Sequence, residues 1–162
     1  MWMATGFGLG YVPRAPGTAG SLASVLLFAL LGAWLEGTAL QVVYFVVLAG
    51  LAPLALWSTG QALEQWKAPD PPAIVIDEIL GQWITYAGLV LAGLLGLPVI
   101  GARWKYLLAG FILFRAFDVV KPFPIRRSER LPGASGVVLD DVLAGLYAAV
   151  GLLILAWSGW LK

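Results

Sequence analysis

The sequence predicts an all-α, polytopic membrane protein: about five membrane helices behind an N-terminal loop rich in glycine and proline. Three observations predict it. The 162 residues are 60% hydrophobic and only 12% charged, with a mean hydropathy of +0.89, whereas a soluble domain is about half apolar and a quarter charged. The apolar stretches are continuous and do not alternate with period two, which favours helices over a barrel. No charge occurs between Gly37 and Leu63, a run that a water-exposed helix would not tolerate. The length suggests one domain, residues 1–162.

The elements follow in order. Met1 to Gly20 carries Gly6, Gly8, Gly10, Pro13, Pro16, Gly17 and Gly20 and reads as a loop. It lacks the charged, apolar, small-residue pattern of a cleaved signal peptide. Thr18 or Ser21 is a candidate cap for a short first span from about Ser21 to Leu35, which either begins within the Ala15–Gly20 loop or enters the bilayer at a shallow depth. The second span lies within Thr38–Leu63, with Pro53 as a possible kink. Gln61, Glu64, Gln65 and Lys67 mark its exit to water, and Pro69, Pro71 and Pro72 make a rigid loop. Asp77-Glu78 enters a third span that reaches about Leu97, and Gly96, Pro98 and Gly101 turn the chain. The fourth span covers about Trp104 to Val120 and is stopped by Pro122 and Pro124. A basic loop with Lys121, Arg126, Arg127 and Arg130 precedes a bend at Pro132, Gly133 and Gly136. Asp140-Asp141 then open the fifth span, which ends at Trp160. Trp104, Trp157 and Trp160 suit membrane interfaces.

Five crossings place Arg14, Lys67, Lys121, Arg126, Arg127 and Arg130 on one side, against Arg103, Lys105 and Lys162 on the other. The positive-inside rule makes the first side cytoplasmic. The acidic clusters then meet there as well.

With no cysteine and no histidine, thiolate nucleophiles, Cys/His zinc sites and histidine bases are excluded. The net charge of +1 and the lack of a basic stripe with interleaved aromatics exclude a nucleic-acid partner. Carboxylate, arginine, lysine, hydroxyl and backbone chemistry remain.

Asp77, Glu78, Asp118, Asp140 and Asp141 are five of the nine acids, and each lies at the cytoplasmic end of an expected span. Carboxylates gathered at a low-dielectric boundary repel one another, and a divalent cation removes that conflict. All-oxygen ligation suits Mg²⁺ or Mn²⁺. An alternative is that each pair serves a helix N-terminus through the dipole. That does not explain Asp118, near a helix C-terminus. Arg115 lies three residues before Asp118 on the same helix face, as its ion-pair partner or as a bidentate phosphate clamp. Lys121, Arg126 and Arg127 are further phosphate candidates, although Arg126, Arg127 and Arg130 read first as topological and lipid-headgroup contacts. The Gly-Pro loop, with Thr18 and Ser21, can offer backbone N–H groups to an anion. An internal echo links Ile74–Gly81 with Val137–Ala144: three apolar, two acidic, two apolar and one small residue.

Three blocks carry a wider likeness. They are Gly6-Phe7-Gly8-Leu9-Gly10 with Pro13 and Ala15-Pro16-Gly17-Thr18-Ala19-Gly20-Ser21; Asp77-Glu78 with Gly81; and Phe114-Arg115-Ala116-Phe117-Asp118 with Lys121-Pro122-Phe123-Pro124, continuing to Gly133, Gly136, Asp140-Asp141 and Ala144-Gly145. In this order they resemble the phosphatidylglycerophosphatase A family. The chain departs at Gly133-Ala134, where members often have two glycines, and in the proline-rich loop before Asp77. The resemblance implies a Mg²⁺-dependent phosphatase of the bacterial inner membrane that converts phosphatidylglycerophosphate to phosphatidylglycerol and phosphate. It also implies Asp77, Glu78, Asp118, Asp140 and Asp141 as the family-type acidic residues, which would hold the metal. On the reading of the residues themselves, Asp77, Asp118, Asp141 and Arg115 are the expected catalytic groups, and Arg115, Lys121, Thr18, Ser21 and Arg126 would contact substrate. Attack by water and an aspartyl-phosphate intermediate are both open. A CDP-alcohol-type phosphotransferase and a divalent-cation channel or carrier are the alternative classes. The first lacks its long Asp- and Gly-spaced signature here, and the second predicts acids along a route through the bilayer.

Overall fold

The computed structural model describes residues 1–68, 70–97 and 103–161. The expected positions Pro69, Pro98, Gly101 and Lys162 lie outside the described residues. Among the described residues seven α-helices follow one 3₁₀ turn at Leu9–Tyr11: α1 (Pro16–Trp34), α2 (Gly37–Trp66), α3 (Ile76–Thr85), α4 (Ala87–Leu94), α5 (Arg103–Val120), α6 (Ile125–Ser128) and α7 (Ala134–Ser158). Among the described residues there is no strand.

Three helices, α1, α2 and α7, are long and apolar enough to cross a membrane. The first span is α1, and of the two readings of its start the one within the Ala15–Gly20 loop holds. It starts at Pro16, the first helical position, where a missing N–H is harmless. Neither Thr18 nor Ser21 caps it. Ala15 is the N-cap residue and makes no side-chain bond, while the Ser21 hydroxyl donates to the Gly17 carbonyl at 2.9 Å inside the helix. The last helix also starts earlier than Asp140, at Ala134. The expected third span is broken at Tyr86 into α3 and α4. α5 has 18 residues but includes Arg103, Lys105, Arg115 and Asp118.

α3 is the buried centre, because small residues let the backbones of α3 and the following α4 approach α7 closely. A Cβ on Gly81 would lie 2.6 Å from the Asp141 carbonyl oxygen, one on Gly145 2.3 Å from the Gly81 carbonyl oxygen, and one on Gly88 2.1 Å from the Ala149 carbonyl oxygen. Backbones in such contact leave no room for side chains, which is how helices associate tightly in lipid. The two echo segments thus pack against each other. Gly88→Val is expected to lower stability by about 1–3 kcal/mol through overpacking, read as an earlier thermal unfolding transition in detergent.

Aromatic packing fixes the other half of the bundle. Phe28 stacks on Tyr86 at 4.6 Å and Tyr44 on Trp83 at 5.7 Å. The Tyr44 hydroxyl donates to the Trp83 carbonyl at 2.9 Å, and the Tyr86 hydroxyl to the Leu107 carbonyl at 3.1 Å. Outward, Leu22, Leu26 and Leu30 on α1 and Leu146, Val150 and Ile154 on α7 are exposed at four-residue spacing, which makes apolar stripes suited to hydrocarbon.

The N-terminal loop is tied to the start of α3. The Val75 and Ile76 N–H groups both donate to the Ala4 carbonyl, at 2.9 and 3.2 Å. Gly10 sits against the Ala73 carbonyl so closely that any Cβ would collide. This loop therefore sets where Asp77 and Glu78 begin. Arg103, at the start of α5, donates to the Gly32 carbonyl near the end of α1. The exposed Trp34, Trp104, Trp157 and Trp160 fall at that same end, away from the acids.

Candidate metal centre and anion-binding cavity

Five helix ends frame a cavity of about 620 Å³. They are the starts of α1, α3 and α7 and the ends of α2 and α5, with the segment between α6 and α7 closing one side. The described residues lining it include seven carboxylates and one cation: Asp70, Asp77, Glu78, Asp118, Glu129, Asp140 and Asp141 against Lys121.

Asp77, Glu78 and Asp141 form the centre. Each offers a carboxylate oxygen, and these atoms all lie within 4.8 Å of one another. Asp77 and Asp141 are 6% and 4% exposed. One Asp77 oxygen accepts the Glu78 N–H at 3.0 Å. In contrast, Glu78 Oε2, Asp140 Oδ1 and Asp141 Oδ1 are buried without a hydrogen-bond donor. Orphaned buried carboxylate oxygens are costly, and three such groups side by side repel. An all-oxygen set with unsatisfied lone pairs fits a hard cation of the Mg²⁺ or Mn²⁺ type.

Helix geometry separates the roles of the acid pairs. Asp77 and Glu78 lie in the first turn of α3, where the dipole favours them. Asp140 and Asp141 lie well past the first turn of α7, which begins at Ala134, and the dipole fades beyond that turn. Neighbouring helical residues point about 100° apart. Asp141 accordingly faces Asp77 and Glu78, and Asp140 faces Lys121.

Lys121 closes α5 in a left-handed conformation, φ 46°, with its N–H on the Phe117 carbonyl at 2.8 Å. Its ammonium donates to Asp140 at 2.7 Å and to Glu129 at 2.5 Å. Burial pushes its pKa down, but the bonds to Asp140 and Glu129 outweigh this and hold it above the usual lysine value. Arg115 pairs with Asp118 at 2.8 Å.

Of the residues singled out from the sequence, Asp77, Glu78, Asp118, Asp140, Asp141 and Lys121 line one cavity. Arg115, Thr18, Ser21 and Arg126 are not among its lining residues. Ser21 is buried within α1, and Arg126 borders an adjoining cleft. Sequence reasoning missed Asp70, Glu129 and Gly17. Glu129 was hidden in the basic run around Arg126, Arg127 and Arg130. Gly17 read as a loop glycine, yet a Cβ there would lie 2.0 Å from Glu78 Oε1.

The sequence profile of phosphatidylglycerophosphatase A matches residues 2–156. The chain belongs to this family. Two relatives named phosphatidylglycerophosphatase A agree. The Escherichia coli protein is 34% identical, over 98% of this chain and 83% of its own length. The Haemophilus influenzae protein is 36% identical, over 98% and 88%. A Bacteroides thetaiotaomicron protein named as a candidate phosphatidylinositol-3-phosphatase is 37% identical, over 94% and 91%. No solved structure matches the chain. Like the phosphatidylglycerophosphatase A proteins, this one is a phosphoric monoester hydrolase with membrane-spanning helices.

Proposed function

We propose that the protein removes the terminal phosphate of phosphatidylglycerophosphate at the cytoplasmic face of a bacterial inner membrane, with Mg²⁺ as its cofactor. The observation that carries this is the imbalance of the cavity: seven carboxylates and one ammonium among its described residues. A phosphate monoester cannot approach such a field without added positive charge. Asp77, Glu78 and Asp141 would hold that charge, since their oxygens converge and two of them lack donors.

When bound there, Mg²⁺ supplies Lewis-acid polarisation and a bound water of lowered pKa. The chain's own groups do the rest. Lys121 faces the phosphoryl oxygens and stabilises the charge that grows on them. Asp140 and Glu129 hold its ammonium in place. Asp118 or Asp140, outside the converging trio, accepts the proton of the attacking water. Arg115 acts through Asp118, fixing its orientation by the ion pair. The lipid-facing helices keep the acyl chains beside the bundle.

The sidedness follows from charge. Arg14, Lys67, Lys121, Arg126, Arg127 and Arg130 lie toward the cavity end and Arg103 and Lys105 at the other, which supports a cytoplasmic site. This assignment takes α3 with α4 as the third crossing and α5 as the fourth.

Purified protein in nonionic detergent is expected to release phosphate from phosphatidylglycerophosphate with Mg²⁺, to stop with EDTA, and to recover when Mg²⁺ is restored. Release that EDTA leaves untouched would remove the cation from the account. Phosphatidylinositol 3-phosphate is the comparison substrate because of the Bacteroides relative; faster turnover of it would move the substrate assignment.

A further inference from the structure

A second cleft adjoins the acidic cavity and has the opposite character. It measures about 360 Å³ and is lined by Lys121, Phe123, Arg126, Arg127 and Arg130. No carboxylate lines it. Among the described residues Arg126, Arg127 and Arg130 take part in no ion pair. Lys121 belongs to both spaces, so the two anion environments share a wall.

The cleft is held rigidly. Ile125, between Pro124 and Arg126, is fully buried, packed with Phe114, Ala144 and Ala148. Ser128 donates to the Ile125 carbonyl at 2.7 Å, and the Tyr147 hydroxyl on α7 donates to the Phe123 carbonyl at 3.0 Å. Phe123 itself is 77% exposed, and Val119 and Val120 at the end of α5 are each 73% exposed. Basic groups beside outward apolar side chains suit the headgroup level of a bilayer. The positive-inside rule asks for cations on this side. It does not ask that they surround one cleft sharing a lysine with the acidic cavity.

We infer that this cleft binds the phosphodiester of the lipid whose terminal monoester enters the acidic cavity. The inference rests on the function proposed above. The substrate of that reading carries two phosphates separated by one glycerol. The monoester needs the carboxylate-held cation. The diester, a permanent monoanion, suits unpaired guanidinium groups. Lys121 would lie between the two. The same chemistry could come from bulk anionic lipid around the protein, and the test separates these sources.

The measurement is the KM and kcat for phosphatidylglycerophosphate in nonionic micelles without other anionic lipid. It is made for wild type, for Arg126→Gln/Arg127→Gln, and for Arg126→Lys/Arg127→Lys. Loss of charge-assisted bonds is expected to raise KM about tenfold in the glutamine variant, with kcat held within about twofold. The lysine variant is expected to recover most of the affinity. An unchanged KM in these micelles overturns the inference, including the case where a defect appears only in vesicles containing phosphatidylglycerol. A fall in kcat at constant KM also overturns it. Wild-type turnover keeps the two readings apart: a wild type that releases no phosphate sinks the proposed function, whereas an active wild type with an unchanged variant sinks only the cleft.

Discussion

Asp141→Asn is expected to lower phosphate release by about a thousandfold, because the Lewis-acid contribution lost is several kcal/mol and each ~1.4 kcal/mol is a factor of ten. Asn keeps the shape of the side chain and its place on α7. It removes one of three carboxylates whose oxygens lie within 4.8 Å, so a cation there would be held by two charges in place of three. The variant should also fold well. Asp141 is 4% exposed, and one of its oxygens has no donor. Without a cation its charge is opposed by burial and by Asp77 and Glu78. Removing that charge is expected to leave the thermal transition of the chelated protein unchanged or higher. Adding Mg²⁺ should then raise the transition of the wild type and leave that of the variant in place. An active Asp141→Asn enzyme would contradict the carboxylate site. An inactive one that unfolds early would assign Asp141 a structural role.

Gly17→Ala is expected to reduce activity about a hundredfold, the scale set by ångström-sized displacement of a catalytic group. Gly17 has a helical conformation near the start of α1, where alanine is favoured over glycine by up to about 1 kcal/mol. Backbone freedom is therefore not the reason for glycine. The reason is space: the added methyl carbon would lie 2.0 Å from Glu78 Oε1. The end of a glutamate side chain can move away, so the fold survives. It then leaves the oxygens of Asp77 and Asp141. The expected signature is near-normal thermal stability with weakened activation by Mg²⁺, seen as a higher half-saturating concentration. Unaltered Mg²⁺ dependence would mean that Glu78 does not need its present position.

That glycine also marks where sequence reading reached its limit. Gly17 and Gly20 read as loop residues, and the sequence leaves the start of the first span open between about Ser21 and the Ala15–Gly20 loop. In the structure both lie inside α1 and give room, Gly17 to Glu78 and Gly20 to Val75. A glycine read alone does not distinguish a turn from close helix contact. The early start of α7 was missed for the same reason, with Gly136 pressed against the Leu131 carbonyl. The break at Tyr86 carries no proline signal, and the nearby Gly88 is explained by its contact with the Ala149 carbonyl. The break is accompanied by Tyr86 stacking on Phe28 and bonding to Leu107, contacts across the fold that local propensity does not contain.

The gathering of the acids in one cavity was more legible than the helix boundaries. Acids at the ends of apolar runs are rare in lipid, and Asp77, Glu78, Asp118, Asp140 and Asp141 stood out without any structure. Their division of labour did not. The rotation between Asp140 and Asp141 on α7 sends one toward Lys121 and the other toward Asp77 and Glu78, which sequence adjacency conceals. Arg115 was legible as the partner of Asp118 through its three-residue spacing, and the 2.8 Å contact follows that spacing.

Crystals of the wild-type protein grown with Mn²⁺ in place of Mg²⁺ would test the central claim most directly, through an anomalous difference map. A peak bonded to oxygens of Asp77, Glu78 and Asp141 is expected. A bound ion elsewhere in the cavity, out of reach of all three, would contradict that claim.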